Sequence, residues 1–229
     1  VSIFVNPLQF NRPDDFDKYP RPIDADVAAC RNAGVDAVYA PTAAAMYPPG
    51  FQTHVEPGRL ADSLEGAGRP GHFRGVTTVV AKLFGAIQPD VAVFGRKDFQ
   101  QLAIIRRMVA DLDMAVEIVE SPTVRDVDGV AISSRNERLA PDDRRAARCI
   151  NEALTLVGDA VRAGESDAAT LASLARDHIA AEPRARLEYV DIVDPDTLDP
   201  VAIVRQPVVM VVAAWFGDVR LIDNVALIA

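Results

Sequence analysis

Short apolar runs alternate with amphipathic segments through the first 120 residues, and this alternation restricts the fold more than any other feature. The runs are rich in β-branched residues, whereas the segments between them repeat apolar residues at helical spacing. The first run, VSIFV, reads as a buried strand. The pattern predicts strands over 1–5, 36–41, 91–95 and 116–120, and helices over 24–34, 76–87 and 98–112. This order is typical of a parallel sheet covered by helices. We therefore expect an α/β domain whose site lies in loops after the carboxyl ends of the strands.

The pattern changes after Pro122. Residues 123–134 read as a hairpin that turns at Asp128-Gly129, a dipeptide suited to the positive φ angles of a tight turn. Helical segments follow over 141–163 and 166–182, and strand-like runs follow over 186–194, 207–217 and 219–223. We predict two domains, an α/β domain over 1–122 and a smaller α+β domain over 123–229.

Composition excludes several classes of protein. With 229 residues and 49% hydrophobic residues, the chain is long and apolar enough to bury a core. A formal net charge of -9 argues against a general binder of nucleic acid or of anionic membranes, because either needs a positive face. The two cysteines, Cys30 and Cys149, lie in separate helix-like runs, so we expect no disulfide and a cytoplasmic location.

The stretch VAVFGRKDFQQ, residues 91–101, is the strongest candidate for a binding loop. A strand ends at Gly95 and a helix begins near Asp98, and the free N–H groups of a helix start attract anions. Gly95 lets a ligand approach the backbone, and Lys97 supplies a positive charge. Spacing alone favours a structural interpretation, because Asp98 and Gln101 have the spacing of a capping box.

Two other polar segments are candidates. ISSRN, residues 132–136, combines two hydroxyls, a guanidinium and an amide, which suits phosphate oxygens that need several donors. NPLQF places the amides of Asn6 and Gln9 just after the first predicted strand. Either segment can instead be an ordinary polar turn.

The loop LEGAGRPGHFRG, residues 64–75, combines glycines, two arginines and His72. Flexibility with positive charge suggests a lid or wall over an anionic ligand. A lone histidine is more often a structural hydrogen-bonding residue than a catalyst, and no Cys/His spacing typical of zinc sites is present in the sequence.

Taken in order, these stretches resemble motifs of the pantothenate synthetase family at the family's spacing, and the resemblance runs from residue 1 to the end. The matching segments are FVNPLQF, DFDKYPR, LEGAGRPGHFRGV, FGRKDFQQL, IRRMVADL, PTVRDVDGVAISSRN and VAAWFGDVRLIDN. The resemblance implies a Rossmann-like nucleotidyltransferase sheet in the first domain.

The resemblance implies an enzyme that joins D-pantoate to β-alanine at the expense of ATP, through a pantoyl-adenylate. Gln9 and Gln101 would bind pantoate, and Gln9 would also border the β-alanine site. The catalytic residues would be Lys97, Ser133 and Arg135. The residues in contact with ATP would be Gly95, Arg96, Lys97, Asp98, Val124 (through its backbone), Ile132, Ser133, Ser134 and Arg135.

The resemblance also bears on cofactors and partners. ATP would arrive as its Mg²⁺ complex, with the metal held chiefly by phosphate oxygens and no other cofactor bound tightly. The partners would be small molecules, with no nucleic acid and no membrane, and the family implies a homodimer. Arg96 departs from the acidic residue expected between Gly95 and Lys97.

A second departure concerns the segment before VSIFVNP. The family has a preceding strand that ends in a His-x-Gly-His loop, and neither histidine is in this sequence. We expect that the 229 residues alone are inactive and poorly folded. The preceding strand should be central in the sheet, and its absence would leave the backbone of the neighbouring strands unpaired. Two alternatives stay open at this stage, another nucleotidyltransferase of the same superfamily and a non-catalytic remnant that binds ligand.

Overall fold

The computed structural model describes residues 1–11, 16–17, 19–205 and 207–228. The chain divides into two compact units, unit 1 with residues 1–92 and 104–118, and unit 2 with residues 93–103 and 119–229. The segment 93–103, which contains the GRKD sequence, therefore groups with the C-terminal half. The domain boundary at residue 122 stays a prediction. Asp15 and Lys18 of the DFDKYPR motif lie outside the described residues.

The helices of unit 1 are α1 (Ile23–Asn32), α2 (Ala43–Met46), α3 (Glu65–Gly68) and α4 (His72–Ile87). Helix α1 carries Asp24 and Asp26 in its first turn, where carboxylates complement the helix dipole. Helix α4 begins four residues before the predicted start at 76, directly after Gly71 at φ 78°. Its first half is buried, so this end of α4 is part of the core of unit 1.

The first predicted strand forms less structure than its sequence suggests. Within residues 1–5 and 36–41, one parallel bridge joins Ser2 to Tyr39, with Ile3 N–H donating to Tyr39 O at 2.9 Å. Residues 1–5 are exposed or half-buried, so the expectation of a buried strand is wrong. The physical reason is that burial depends on neighbours. In the described part of the chain this segment pairs along one side only, and its faces stay partly open.

The predicted strand–helix–strand unit is present in the middle of the chain. Strands β1 (Val91–Gly95) and β2 (Glu117–Ser121) form a two-stranded parallel sheet, and helix α5 (Phe99–Asp111) connects them. A short 3-10 turn over Arg96–Asp98 lies between β1 and α5. The end of β1 thus leads directly into the loop singled out above.

The predicted hairpin turns at the expected dipeptide. Gly129 has φ 87°, and Arg125 and Ala131 form an antiparallel bridge. The Val130 N–H donates to Asp128 Oδ1 at 3.2 Å, and Arg144 holds both carboxylate oxygens of Asp128. These bonds lower the pKa of Asp128, the Arg144 guanidinium being the main cause.

The core of unit 2 is a three-stranded antiparallel sheet packed on two helices. The strands are β3 (Ala185–Val193), β4 (Val208–Phe216) and β5 (Val219–Leu227), in the order β3-β4-β5. The helices of this half are α6 (Pro141–Ala146), α7 (Arg148–Arg162) and α8 (Ala168–Ala180). The predicted helix over 141–163 is thus interrupted at Ala147, and the last strand continues to Leu227 instead of ending at 223.

Side chains alternate between the two faces of this sheet. One face buries Met210, Val212 and Phe216 against α7 and α8, where Val157 and Ile179 are fully buried. Each such side chain contributes about 1.5–3 kcal/mol relative to exposure. This apolar packing makes the sheet a rigid base for the loops that contact it.

The two cysteines provide a test of this core. Both are free thiols, as expected, and burial raises the pKa of Cys149 to about 12. A thiol with this pKa is neutral at pH 8 and unreactive. We expect iodoacetamide at pH 8 to modify half-buried Cys30 and to spare Cys149 until denaturant is added, as measured by peptide mass spectrometry. Equal rates of modification in the native protein would contradict this core.

Candidate active site

The loop between β1 and α5 presents the positive charge of Lys97. Gly95 is extended, with φ -74° and ψ 133°, and the chain then turns through Arg96–Asp98 into the helix. Lys97 is half-buried, and in the part of the chain that the structure describes its ammonium group makes no hydrogen bond or ion pair. An unpaired cation at the start of a helix is suited to an anionic ligand.

The capping-box interpretation of this loop is wrong. Asp98 lies in the 3-10 turn directly before α5, and a capping box would need its side chain bonded to a free N–H group of that helix. Across the described residues, neither the Asp98 carboxylate nor the Gln101 amide caps α5. Asp98 is exposed and Gln101 half-exposed, so both side chains are available to a ligand.

Arg96 differs from Lys97 because its charge is neutralised. The Arg96 Nε atom lies 2.5 Å from Glu120 Oε1 at the end of β2, in a close ion pair that lacks the alignment of a hydrogen bond. Both side chains are largely covered, with exposed fractions of 37% and 22%. The basic residue that departs from the family pattern is therefore held against β2.

The hairpin leads into the second candidate segment. The Ile132 N–H donates to Val124 O at 2.9 Å, which places these residues opposite one another, and their side chains are 51% and 63% exposed. Ser133 Oγ then accepts from the Arg135 N–H at 3.2 Å and begins a 3-10 turn over Ser134–Arg138. Two exposed apolar side chains followed by hydroxyls fit a ligand with a flat ring and an anionic group.

Sequence reasoning missed two residues of β5 that hold these segments. Asp223 accepts from Arg125 Nη2 at 3.0 Å, and Arg125 Nη1 also donates to Gly129 O within the hairpin. Asn224 Nδ2 donates to the carbonyl oxygens of Arg96 and Lys97 at 2.9 and 3.0 Å. The available signal was a polar pair, Asp-Asn, inside an otherwise apolar strand.

In unit 1, Asn6 fixes the loop that carries Gln9. Asn6 is 3% exposed, and its Nδ2 donates to Gln9 Oε1 at 3.1 Å and to Gly75 O at 3.0 Å. Its Oδ1 accepts from the Tyr47 hydroxyl at 2.7 Å, and burial raises the pKa of Tyr47 to about 12. Gln9 Oε1 is thus occupied, while its NH₂ group has no acceptor among the residues that the structure describes.

The loop 64–75 is a support for Gln9 in this structure. His72 Nδ1 lies 2.7 Å from Gln9 O, and Arg69 Nη2 donates to the same oxygen at 3.1 Å. His72 is 7% exposed, and its contact with the Gln9 carbonyl is consistent with a structural hydrogen-bonding residue. The interpretation of this loop as a lid stays a prediction.

Among the described residues, no group of three or more His, Cys, Asp or Glu side chains could hold a metal ion. No helix in the same part of the chain is both long and apolar enough to cross a membrane.

Comparison with known proteins gives one consistent result. A model of the pantoate-beta-alanine ligase family matches residues 1–226. The chain is 50% identical over 227 residues to the pantothenate synthetase of Moorella thermoacetica, covering 99% of this chain and 80% of that protein. It is 53% identical over 228 residues to pantothenate synthetase 1 of Bradyrhizobium diazoefficiens, again with 99% and 80% coverage.

Solved structures agree. A crystal structure of pantothenate synthetase from Thermus thermophilus matches with a TM-score of 0.94 and 45% identity, over 98% of this chain and 81% of that chain. This likeness confirms the expected α/β nucleotidyltransferase-like fold class. A structure of the Francisella tularensis pantoate-beta-alanine ligase, complexed with beta-gamma ATP and beta-alanine, matches with a TM-score of 0.77 and 32% identity, over 98% of this chain and 77% of that chain.

Gly75 tests the geometry of the Gln9 loop. A Cβ atom there would lie 2.3 Å from Leu8 O and 2.8 Å from Gln9 N, whereas a Cβ at Gly85 in the same helix meets nothing within 4 Å. We expect Gly75→Ala to lower the free energy of unfolding by about 1–3 kcal/mol. The control Gly85→Ala raises it by up to about 1 kcal/mol. Urea denaturation measures both, and equal effects would contradict the close approach.

Proposed function

Because the chain belongs to the pantoate-β-alanine ligase family, we propose that it catalyses the ATP-dependent joining of D-pantoate and β-alanine to give pantothenate, AMP and pyrophosphate. The observation that carries the proposal is the match along residues 1–226, with about half of the residues identical to curated relatives. The unpaired Lys97 at the start of α5 supports it, because the reaction needs a cation for the phosphates of ATP.

The chemistry proceeds in two steps. A carboxylate is a poor electrophile, so the pantoate carboxylate first attacks the α-phosphorus of ATP, and pyrophosphate leaves with the electrons of the broken P–O bond. The β-alanine amine then attacks the carbonyl carbon of the pantoyl-adenylate, loses a proton and expels AMP. Both steps develop negative charge on phosphate oxygens, and fixed donors and cations that face this charge lower the barrier.

Lys97 is the residue we assign to the charge on the transferring phosphates. The residue lies in the turn directly before α5, and its half-buried setting reduces screening by water. Gly95 and Asp98 flank it as further ATP contacts. For Arg96 we propose a contact through the backbone, because its guanidinium is paired with Glu120.

The hairpin and the turn after it supply the other ATP contacts. We assign the adenine ring to the exposed surface around Ile132 and to the backbone of Val124. These two residues lie opposite one another in the hairpin. Ser133, Ser134 and Arg135 are the proposed phosphate ligands, with Ser133 and Arg135 catalytic beside Lys97. All of these residues belong to unit 2.

The acceptor substrates involve two glutamines. In unit 1, the Gln9 NH₂ group has no acceptor among the described residues, so we assign it to an oxygen of pantoate and place it beside β-alanine as well. In unit 2, Gln101 lies on the first turn of α5 and its half-exposed side-chain amide does not cap the helix. We assign this amide to pantoate. We further propose that ATP arrives with Mg²⁺ held by phosphate oxygens, and that the enzyme is a cytoplasmic homodimer.

Pantoate-dependent exchange of labelled pyrophosphate into ATP tests the function, because it reports adenylation alone. We propose running it on the 229-residue chain and on any longer form of the protein that contains these residues. Our expectation is exchange that depends on added pantoate. Absence of exchange in every folded form would reject pantoate adenylation and favour a ligand-binding protein.

Neighbouring cations provide a second test. We expect Lys97→Ala to lower kcat/KM for ATP by about 10²–10³-fold, or about 2.7–4 kcal/mol of transition-state stabilisation. Arg96→Ala should cost less than about tenfold, because Glu120 already neutralises that charge. Lys82→Ala, which removes a lysine that lies over the Phe51 ring, is the matched control. Steady-state exchange rates measure all three, and equal losses at positions 96 and 97 would contradict the assignment.

A further inference from the structure

Asn224 makes an unusual pair of contacts for a residue inside a strand. Its side chain is 4% exposed on β5, and both hydrogens of its amide are used, one for the carbonyl of Arg96 and one for the carbonyl of Lys97. These two carbonyls are consecutive and belong to the turn that begins α5. The amide thus holds the segment that carries Lys97, a cation without a partner among the described residues.

Holding a carbonyl also fixes an N–H group. Each peptide unit is planar and trans, so the N–H bond points opposite to the C=O bond of the same unit. The Arg96 carbonyl shares its peptide unit with the Lys97 N–H, and the Lys97 carbonyl shares its unit with the Asp98 N–H. By binding both oxygens from one side, Asn224 directs these N–H groups to the other side and fixes the backbone from which the Lys97 side chain projects.

The amide is a poor choice for strand stability alone. Asn224 Oδ1 is buried and, among the described residues, has no hydrogen-bond donor. A buried acceptor without a partner costs about 1–3 kcal/mol, whereas an apolar side chain would avoid that cost. The stabilising contribution of the Asn224 side chain therefore comes from the two hydrogen bonds that it donates to the carbonyls of Arg96 and Lys97.

The adjacent residue holds the other ATP segment. Side chains alternate along a strand, so Asp223 and Asn224 face opposite sides of the sheet. Asp223 binds Arg125 of the hairpin that precedes Ile132, and its Oδ1 also accepts from the Asn224 N–H at 2.8 Å. Two consecutive residues of β5 thus connect one rigid strand to both segments that we assign to ATP.

We propose that Asn224 is a positioning residue for adenylation. It holds residues 95–98, the Lys97 loop, in the geometry that binds and neutralises the ATP phosphates. This inference rests on the proposed function. It assigns Asn224 no contact with substrate, since the side chain acts through the backbone of the loop.

The first test compares Asn224→Ala with Val225→Ala. Val225 is the next residue of β5 and packs on the hydrophobic core, so its truncation weakens the same strand without touching the loop. In the protein form that supports pyrophosphate exchange, we expect Asn224→Ala to lower kcat/KM for ATP by about 10- to 100-fold, because displaced catalytic groups cost this much. The KM for pantoate should change by less than about threefold, and Val225→Ala should lower the melting temperature without this loss.

Binding of ATP and of adenosine, measured by calorimetry, separates loop geometry from folding. Asn224→Ala should weaken ATP binding and leave adenosine binding unchanged, because only the phosphates depend on the loop. Adenosine binding also reports that the variant is folded. An ATP affinity equal to that of the unsubstituted protein would overturn the proposal, as would an equal loss of exchange in Val225→Ala.

The pH dependence of exchange in Asn224→Asp distinguishes a positioning role from a purely structural one. This substitution keeps the shape but places a carboxylate beside two carbonyl oxygens, and burial beside these acceptors raises the pKa of such a group. Its protonated form regains one donor, so exchange relative to the unsubstituted protein should rise as pH falls from 8 to 6. A flat ratio, or failure of both Asn224 variants to fold, would overturn positioning. Absence of exchange in the unsubstituted protein would instead reject the proposed function.

Discussion

A buried side-chain amide must find hydrogen-bond partners, and in each compact unit this requirement fixes a loop. In unit 1, Asn6 is 3% exposed and binds Gln9, Gly75 and Tyr47. In unit 2, Asn224 is 4% exposed and binds the carbonyls of the Lys97 loop. Leaving such an amide unpaired costs about 1–3 kcal/mol, so each loop is held in one geometry rather than many. The side chains of Gln9 and Lys97 extend from these fixed backbones.

The charge near the proposed ATP site is set by neighbouring residues and not by the net charge of the chain. The chain has a net charge of -9, yet the segment from Gly95 to Asp98 contains two adjacent cations. Arg96 forms an ion pair with Glu120, whereas Lys97 has no carboxylate partner among the described residues. Within this loop, an anionic ligand therefore meets the positive charge of Lys97 and not that of Arg96. The same ion pair explains how an arginine fits where the family pattern leads one to expect an acidic residue.

Local patterns in the sequence predicted much of this structure. The strand, glycine, cation and helix of VAVFGRKDFQQ lie within eleven residues, and the Asp128-Gly129 turn depends on two. Contacts across the chain were not predictable in the same way. Asn224 reaches Arg96 across 128 residues, and spacing alone cannot reveal that pairing. The burial of residues 1–5 was misjudged for a related reason, since β-branched residues indicate a strand but not what covers it.

The separation between Asn224 and Arg96 has a consequence for how the protein is made. A ribosome adds about 5–20 residues per second, so the Lys97 loop is synthesised roughly 6–25 s before the strand that anchors it. During this interval the loop lacks the two hydrogen bonds from the Asn224 amide, so the proposed ATP site is not yet formed. The nucleotide can therefore stabilise only finished molecules, in which β5 has joined the sheet. Long-range pairing of this kind also makes the last step of folding slow relative to the formation of helices.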